Sequence, residues 1–212
     1  MNSPLWDYDK ELFQGYDFLC GSDEVGRGSF CGPIVGAAVI LKDSAKELPI
    51  KNSKKLSQKK REELADIIPE VCYSYAIVEK SPIDIDTDGI QYCNKYVLRN
   101  SVIRAIEEFQ NTLVLIDGRE LWSEKDFDCI FQPKADDLSM AVAAASIIAK
   151  VYRDNLLIEM GEKYPEYNFA KNKGYGTKEH RDAINEFGII KGFHREAYIK
   201  EKVDERTKDM SC

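Results

Sequence analysis

The sequence predicts an α/β fold, in which helices flank a mixed sheet and a helical extension follows at the C-terminus. Strand-like segments come first, strands and helices then alternate, and glycines separate short helical segments near the end. With 212 residues, of which 43% are hydrophobic, the chain can build one domain with its own core. We place that core at residues 1–160 and the extension at residues 161–212, with a soft boundary between them.

Each element is predicted from composition and periodicity. The segments with strand character, judged by β-branched and apolar content, are 16–22, 33–41, 71–78, 112–116 and 129–132. The segments with helical periodicity are 57–68, 90–109 and 139–161. Ser57 is the expected N-cap of the first helix.

Cysteine usage and the absence of targeting signals indicate the cellular setting. Six scattered cysteines without a CxxC pair are typical of reduced thiols. Because the chain has only two histidines, we do not expect a zinc site. The N-terminus has no secretory pattern, and the longest apolar run is far below the ~20 residues that span a bilayer. We expect a soluble cytoplasmic protein that does not bind membranes.

The charge is unevenly distributed. A net charge of -7 taken alone argues against a nucleic-acid partner. Residues 46–63, however, contain seven basic and three acidic residues, and residues 171–181 contain four basic residues against one acidic residue. These two segments could follow phosphates, although a solvated helix face is the ordinary interpretation of Lys59, Lys60 and Arg61.

Carboxylates stand at the ends of several predicted elements. Asp23 and Glu24 close the first strand, Asp117 closes the strand 112–116, and Asp136 precedes the alanine-rich helix. Singly, these patterns also suit a glycine-rich turn, an Asp-Gly turn and a helix cap. Together they predict one site, where hard ions such as Mg²⁺ or Mn²⁺ would offset the repulsion between carboxylates. Four acids can hold two ions about 3.5–4 Å apart for phosphodiester cleavage.

The two neighbouring acids impose a backbone requirement. Adjacent strand residues point to opposite faces, so Asp23 and Glu24 share a site only where the chain turns. Gly26 and Gly28, on either side of Arg27, are expected to supply that turn and a close approach to a ligand.

Ordered motifs over about residues 15–198 resemble ribonuclease HII. These are DEVGRG, GPIVGAAVIL, NSKKLS, LIDG, the K-x-D before AAASIIAKVYRD, and KGYGTKEH. The GRG form favours this family over the sister ribonuclease HIII. The resemblance implies a ribonuclease H-like mixed five-stranded sheet flanked by helices, with a helical C-terminal extension.

The resemblance also implies an activity. The family uses Mg²⁺ or Mn²⁺ to cleave the RNA strand of RNA–DNA hybrids. It also cuts on the 5′ side of single ribonucleotides embedded in duplex DNA, as in ribonucleotide excision repair, leaving 3′-hydroxyl and 5′-phosphate ends. We expect such hybrids and duplexes as the partners and a monomer as the oligomeric state.

Residue roles follow from the matched motifs. The implied catalytic, metal-binding acids are Asp23, Glu24, Asp117 and Asp136. Gly26, Arg27 and Gly28 are implied to read the ribose 2′-hydroxyl through their backbone, with Tyr175 beside the sugar. The implied phosphate contacts are Lys54 and Lys55, with Ser146 and Lys150 as weaker candidates.

The chain departs from the family at a few positions. Asn52 stands where the family often has aspartate, which puts a charged contact there in doubt, and Ala135 replaces a common glycine. Asp137 makes the fourth acid ambiguous, but the eight-residue step to Ala144 favours Asp136.

Two further polar residues receive structural interpretations. We expect Asp154 to form a local ion pair or to brace the site, and we interpret His194 as structural.

Three alternatives remain open from the sequence. A sugar kinase or ATPase with a similar sheet would need a glycine-rich phosphate loop later in the chain, and none is convincing. A non-catalytic nucleic-acid-binding module would lack at least one of the four acids. A ribonuclease HIII-like specificity would prefer longer hybrids over single ribonucleotides.

Overall fold

A computed structural model describes residues 3–120 and 122–199. The described strands are β1 (Phe18–Val25), β2 (Ile34–Leu41), β3 (Cys72–Lys80), β4 (Thr112–Asp117) and β5 (Cys129–Gln132). The described helices are α1 (Pro4–Leu12), α2 (Gln58–Ile67), α3 (Pro82–Asp88), α4 (Ile90–Ile106), α5 (Met140–Lys163), α6 (Phe169–Asn172) and α7 (Lys178–Phe187). The part of the prediction that concerns residues 200–212 lies outside the described residues.

The five strands form one mixed sheet in the order β3-β2-β1-β4-β5. β1 pairs antiparallel with β2 and parallel with β4, and β4 pairs parallel with β5. The predicted mixed five-stranded sheet with flanking helices is therefore confirmed. The Ser57 side chain accepts a hydrogen bond from the Lys60 amide at 3.3 Å, as expected of an N-cap. Helices α1 and α3 were not predicted from the sequence.

The chain forms two compact units, and neither is one continuous stretch. The sheet unit comprises residues 1–25, 35–79 and 94–152, as far as these are described. The second unit comprises Gly26–Ile34, Lys80–Cys93 and the described residues from Arg153 onward. Each unit has its own buried apolar cluster, which in the second unit includes Phe30, Leu157 and Phe169.

Glycines let helices of the sheet unit pack directly on the central strands. A Cβ atom added to Gly21 in β1 would lie 2.3 Å from the backbone of Ala141 in α5. One added to Gly36 in β2 would lie 2.7 Å from the backbone of Val97 in α4. Because only glycine permits such close approach, α5 and α4 are fixed against opposite faces of the sheet.

The helices and cysteines of the described residues bear on two expectations from the sequence. No helix in the described part of the chain is both long and apolar enough to cross a lipid bilayer. The five described cysteines are free thiols, which agrees with the predicted lack of a disulfide framework among them.

Helix α1 is tied to the sheet unit by a buried carboxylate. The Asp9 side chain is 3% exposed and accepts a hydrogen bond from the Ala141 amide at 2.9 Å, in the first turn of α5. Burial raises the pKa of Asp9 to about 7, although hydrogen bonds from Ser139 and Ala141 act in the opposite direction. α1 therefore supplies an acceptor to the N-terminus of α5 at the cost of burying an acid.

We expect Asp9→Asn to stabilise the protein above neutral pH. The folded state binds the Asp9 proton more tightly than the unfolded state, so this residue lowers the free energy of unfolding as pH rises from about 4 through 7. Asparagine keeps an acceptor for the Ala141 amide without ionising, and should add about 1–3 kcal/mol at pH 8 and much less at pH 5. Urea denaturation at both pH values measures the difference.

The matched control is Asp9→Ala, which removes the acceptor as well as the charge. It should gain about 1 kcal/mol less than asparagine at pH 8, because the Ala141 amide loses its partner. Equal stabilities of the wild type and Asp9→Asn at pH 8 would contradict the buried, costly carboxylate.

Candidate active site

Two of the predicted acids lie side by side at the carboxyl ends of adjacent parallel strands. The β1–β4 register pairs Ser22 with Ile116, so Asp23 and Asp117 are the next residues along the two strands. Paired residues on parallel neighbours share a face, and the alternation along each strand places both carboxylates on the face that carries α5. The expectation that strand ends bring these acids together is met for this pair.

Asp23 is buried and hydrogen-bonded to a serine hydroxyl of α5. Its side chain is 6% exposed and accepts hydrogen bonds from Ser146 of α5 and, at 2.7 Å, from the Glu24 amide. The Ser53 and Ser146 hydroxyl oxygens lie 3.0 Å apart. Burial raises the pKa of Asp23 well above its usual value, and the nearby charges of Glu24 and Asp117 add to the shift. Asp23 is thus a buried acid whose charge is insufficiently compensated by protein groups.

Asp117 and Asp136 are linked through a turn that precedes α5. The Ala135 amide donates a hydrogen bond to Asp117 Oδ1 at 2.7 Å, and Asp136 follows in the same 3₁₀ turn. Burial raises the pKa of Asp136, and the Asp117 charge raises it further. Asp136 Oδ2 is buried and accepts no hydrogen bond, while Lys54 Nζ lies 3.8 Å from it. An available carboxylate oxygen therefore stands beside a second acid.

The structure separates Asp136 from its neighbour Asp137. Asp137 Oδ1 contacts Lys55 Nζ at 2.6 Å and Asn52 Nδ2 at 2.9 Å, and these hydrogen bonds lower its pKa. Only Asp136 shares the environment of Asp117. Asn52 suits this arrangement because an aspartate there would place a second carboxylate against Asp137.

The substitution at position 135 is accommodated by its neighbour. Lys134 takes the left-handed conformation, with φ of 62°, while Ala135 is not among the positive-φ residues. Ala135 therefore needs no glycine-like backbone, and its side chain is buried.

The turn after the paired acids lies later than expected. β1 continues through Val25, so Glu24 leaves the strand on the face opposite to Asp23. Gly26 begins the turn with φ of 95°, and Gly28 lies within it, but the turn follows the two acids and therefore does not bring Glu24 to the face of Asp23.

The four acids form an open arrangement. In residues 3–120 and 122–199, no three of these carboxylates bring oxygen atoms within 4.8 Å of one another. Carboxylates in a poorly solvated site repel one another, and a bound cation offsets that repulsion. The all-oxygen donor set, the unsatisfied Asp136 Oδ2 and the raised pKa values fit a hard divalent cation such as Mg²⁺ or Mn²⁺.

The predicted phosphate contacts of the sheet unit fall into two groups. Lys54 has a side chain that is 84% exposed, and Lys55 is engaged by Asp137. Ser146 lies beneath Asp23, which makes it a support of the acid more than a surface contact. Lys150 stands one helical turn further along α5 and is half-buried.

In the second unit, the GRG segment forms a tight turn. The Ser29 amide donates to the Gly26 carbonyl at 3.3 Å, which leaves Arg27 and Gly28 exposed at the middle of the turn. A Cβ atom on Gly26 would lie 2.3 Å from Arg153 Nε, so glycine is required there on steric grounds as well.

Two fully buried arginines hold this turn and were missed by the sequence reasoning. Arg153 donates to the carbonyls of Pro33, Cys31 and Lys173 at 2.9–3.0 Å. Its guanidinium spans two segments that lie far apart in the chain.

The second arginine acts on the turn itself. Arg195 Nη1 donates to the Arg27 carbonyl at 3.2 Å, and its Nε and Nη2 both donate to the Gly32 carbonyl. The only sequence signals were the RD of the AAASIIAKVYRD motif and the His-Arg dipeptide at 194–195.

Tyr175 and Asp154 also belong to the second unit. The Tyr175 side chain is 39% exposed, and the Arg153 guanidinium carbon lies 5.8 Å from its ring centroid. Asp154 is buried next to Arg153, whose pKa is lowered by burial and raised somewhat by the Asp154 charge. The local ion pair or bracing role expected of Asp154 from the sequence stays a prediction.

One cysteine and both histidines come together in the second unit, which the argument against a zinc site did not foresee. Cys31, His180 and His194 are buried, and one ligand atom from each lies within 4.8 Å of the others.

Comparison with known proteins agrees with the geometry. The family model described as Ribonuclease HII matches residues 20–201. A ribonuclease HII of Clostridium perfringens (strain SM101 / Type A) is 46% identical over 203 residues, which cover 92% of this chain and 71% of the relative. A ribonuclease HII of Fusobacterium nucleatum is 40% identical over 214 residues, which cover 98% of this chain and 97% of the relative.

The fold has a matching solved structure. The crystal structure of ribonuclease H2 from Pyrococcus horikoshii OT3 aligns with a TM-score of 0.73 at 22% identity, covering 90% of this chain and 99% of that one. At this level of identity, the match concerns the fold alone.

Proposed function

The chain belongs to the ribonuclease HII family and is a ribonuclease H endonuclease, and from that premise we propose which duplexes it cuts and with which residues. The proposed activity is divalent-metal-dependent cleavage of the RNA strand of RNA–DNA hybrids. It includes cleavage on the 5′ side of single ribonucleotides embedded in duplex DNA, leaving 3′-hydroxyl and 5′-phosphate ends. The observation that carries the proposal is the group of buried acids at the ends of β1 and β4, with Asp136 beside them.

The acids Asp23, Asp117 and Asp136 would hold the metal, together with Glu24. Glu24 lies on the opposite strand face, and its inclusion rests on the DEVGRG motif and on the effect of its charge on Asp23. When bound, Mg²⁺ or Mn²⁺ supplies water activation and charge stabilisation at the leaving oxygen. Around it, the protein orients its own groups: the Ser146 hydroxyl fixes Asp23, and the Ala135 amide fixes Asp117. These hydrogen bonds keep the carboxylate oxygens preorganised, so little reorganisation is needed during the reaction.

Substrate recognition is assigned to different groups. Lys54, with its exposed ammonium, is proposed to contact a substrate phosphate and thereby to reduce repulsion between the polyanion and the acids. The exposed turn residues Arg27 and Gly28, with Gly26, are proposed to read the ribose 2′-hydroxyl through their backbone. Tyr175 offers an exposed ring for packing against the sugar.

The decisive experiment uses a duplex with one embedded ribonucleotide. We expect cleavage on its 5′ side with Mg²⁺ or Mn²⁺ and no cleavage of the all-DNA duplex. Asp23→Asn should retain duplex binding and lose cleavage, because it removes a charge from the metal site but leaves the recognition residues in place.

Three results would count against the proposal. Absence of cleavage with every divalent ion would remove the proposed substrate range. Cleavage of long hybrids but not of the single ribonucleotide would instead support the ribonuclease HIII-like specificity left open by the sequence. Full activity of Asp23→Asn would overturn the assignment of the acids.

A further inference from the structure

The backbone around Tyr175 is fixed at four consecutive carbonyl groups. The Lys173 carbonyl accepts from Arg153 at 3.0 Å, and the Gly174 carbonyl accepts from the Phe30 amide at 2.8 Å. The Gly176 carbonyl accepts a hydrogen bond from the Arg181 guanidinium. The remaining carbonyl, that of Tyr175 itself, accepts from the Thr177 amide at 2.7 Å and from a ring nitrogen of His180.

Two buried imidazoles form a directional chain that ends on the Tyr175 carbonyl. The Ile190 amide donates to His194 Nδ1 at 2.8 Å, so that nitrogen carries no proton. His194 Nε2 must then carry the proton, and it donates across 3.2 Å to His180 Nε2. His180 in turn carries its proton on Nδ1 and donates to the Tyr175 carbonyl at 3.0 Å. Three hydrogen bonds thus fix the tautomers of both rings.

Both rings stay neutral at physiological pH. Burial lowers the pKa of His180, and burial together with the His180 ring lowers the pKa of His194 to about 4. A second proton on His180 would set its Nε2–H against the Nε2–H of His194 across 3.2 Å. A second proton on His194 would set its Nδ1–H against the Ile190 N–H across 2.8 Å. Only the neutral pair gives each of the four ring nitrogens a hydrogen-bond partner of the right kind.

The same hydrogen bonds argue against a zinc site at this cluster. A zinc ion on His194 Nε2 would require the proton to move to Nδ1, where the Ile190 amide already donates. Burial also raises the pKa of the Cys31 thiol to about 12, which disfavours the thiolate that zinc needs. The cluster is better satisfied as a neutral, hydrogen-bonded group.

We propose that His180 and His194 are positioning residues for ribonucleotide recognition, which fix the Tyr175 carbonyl and so the backbone from which the Tyr175 ring projects. The proposal rests on the role of Tyr175 in the proposed function. Neither imidazole needs to touch the substrate, because both are fully buried while Tyr175 is exposed. A backbone held in one conformation before binding avoids the ordering cost that a mobile segment would incur on the substrate.

Matched variants at position 180 test the proposal. His180→Leu fills the space without a donor and should lower kcat/KM for the single-ribonucleotide duplex about tenfold, mainly through KM. His180→Asn places an amide donor near the position of Nδ1 and should recover most of that loss. Assays well below the unfolding temperature of each variant keep stability out of the comparison.

A double-mutant cycle separates positioning from a general structural role. If His180 acts through Tyr175, then His180→Leu should have almost no further effect in a Tyr175→Ala background. Multiplying losses, or wild-type kinetics of His180→Leu, would overturn the proposal. Failure of the wild type to cut the duplex would be a different result, because it would remove the proposed function itself.

A measurement on the wild type needs no variant to fold. The chain has two histidines, so ¹⁵N-histidine labelling gives two ring systems. At pH 7 we expect one Nδ1–H and one Nε2–H tautomer, unchanged when Zn²⁺ is added. Two Nε2–H rings, a charged ring, or Zn²⁺-dependent ring shifts would overturn the hydrogen-bond chain.

Discussion

Asp136→Asn is expected to abolish cleavage and, at the same time, to stabilise the metal-free protein. The substitution removes a buried charge that stands beside Asp117, so the folded state loses a repulsive interaction and a desolvated carboxylate. We expect kcat to fall about 10³-fold or more and the free energy of unfolding to rise by about 1 kcal/mol at pH 8 in EDTA. Cleavage of the single-ribonucleotide duplex and thermal unfolding measure the two effects.

Metal binding gives this prediction a third readout. Wild-type protein should unfold at a higher temperature when Mg²⁺ or Mn²⁺ is added, because an ion bound only by the folded state stabilises it. In Asp136→Asn that increase should shrink, since one ligand charge is gone. An inactive variant with an undiminished metal-dependent increase would place the ion elsewhere.

Asp137→Asn is the matched control, one residue away. Asp137 is partly exposed and paired with Lys55, so its loss should lower the free energy of unfolding only slightly. Stability should therefore change in the opposite direction to that of Asp136→Asn, and kcat should stay within about threefold of the wild type. If Asp137→Asn were the inactive variant, the eight-residue spacing argument would have selected the wrong acid.

The sequence was sufficient to bring Asp23 and Asp117 to one face of the sheet, because both lie near the carboxyl ends of predicted parallel strands. Asp23 and Asp117 follow apolar strand segments, and strand alternation then determines the face on which each side chain lies. The eight-residue step to Ala144 favoured Asp136, and the structure gives the physical contrast between a buried acid and an ion-paired one. Sequence pattern predicts strand ends and the face of a side chain well, because both depend on residues that are close in the chain.

The second unit was much harder to foresee. Its supports join residues that are far apart in the chain, such as Arg153 with Pro33, which are separated by 120 positions. No periodicity marks a buried arginine whose partners are backbone carbonyls, because carbonyls are present at every residue. His194 was interpreted only as structural, and its pairing with His180 was missed, for the same reason: hydrogen-bond partners cannot be identified from sequence spacing.

The local charge distribution also explains why net charge was a poor guide. The predicted basic segments are partly neutralised within the protein: Lys55 pairs with Asp137, and Lys171 pairs with Glu179 at 3.2 Å. Lys54, in contrast, keeps an exposed side chain near an acid. Contacts with substrate phosphates therefore depend on individual lysines and arginines. The net charge of a segment overstates the number of these side chains that can bind phosphate.

Arg153→Met is expected to cause the largest loss of stability among the changes considered. The arginine is fully buried and donates to three carbonyls, those of Pro33, Cys31 and Lys173. Methionine fills similar volume but leaves these acceptors without donors, and an unsatisfied buried acceptor costs about 1–3 kcal/mol. Removal of the charge offsets part of this cost, because burial disfavours the guanidinium and lowers its pKa. We expect a net loss of about 3–5 kcal/mol in urea denaturation.

Lys163→Met on the same helix is the matched control. It also replaces a cation with a thioether, but Lys163 is exposed at the end of α5, so the free energy of unfolding should change by no more than about 0.5 kcal/mol.

Hydrogen exchange should show where the arginine acts. In Arg153→Met, amides in 26–34 and 173–177 should lose protection before those of β1 and β4, because the guanidinium joins these two segments of the second unit. If Arg153→Met were as stable as the wild type, or if β1 and β4 lost protection equally, the buried arginine would not hold residues 26–34 and 173–177 in place.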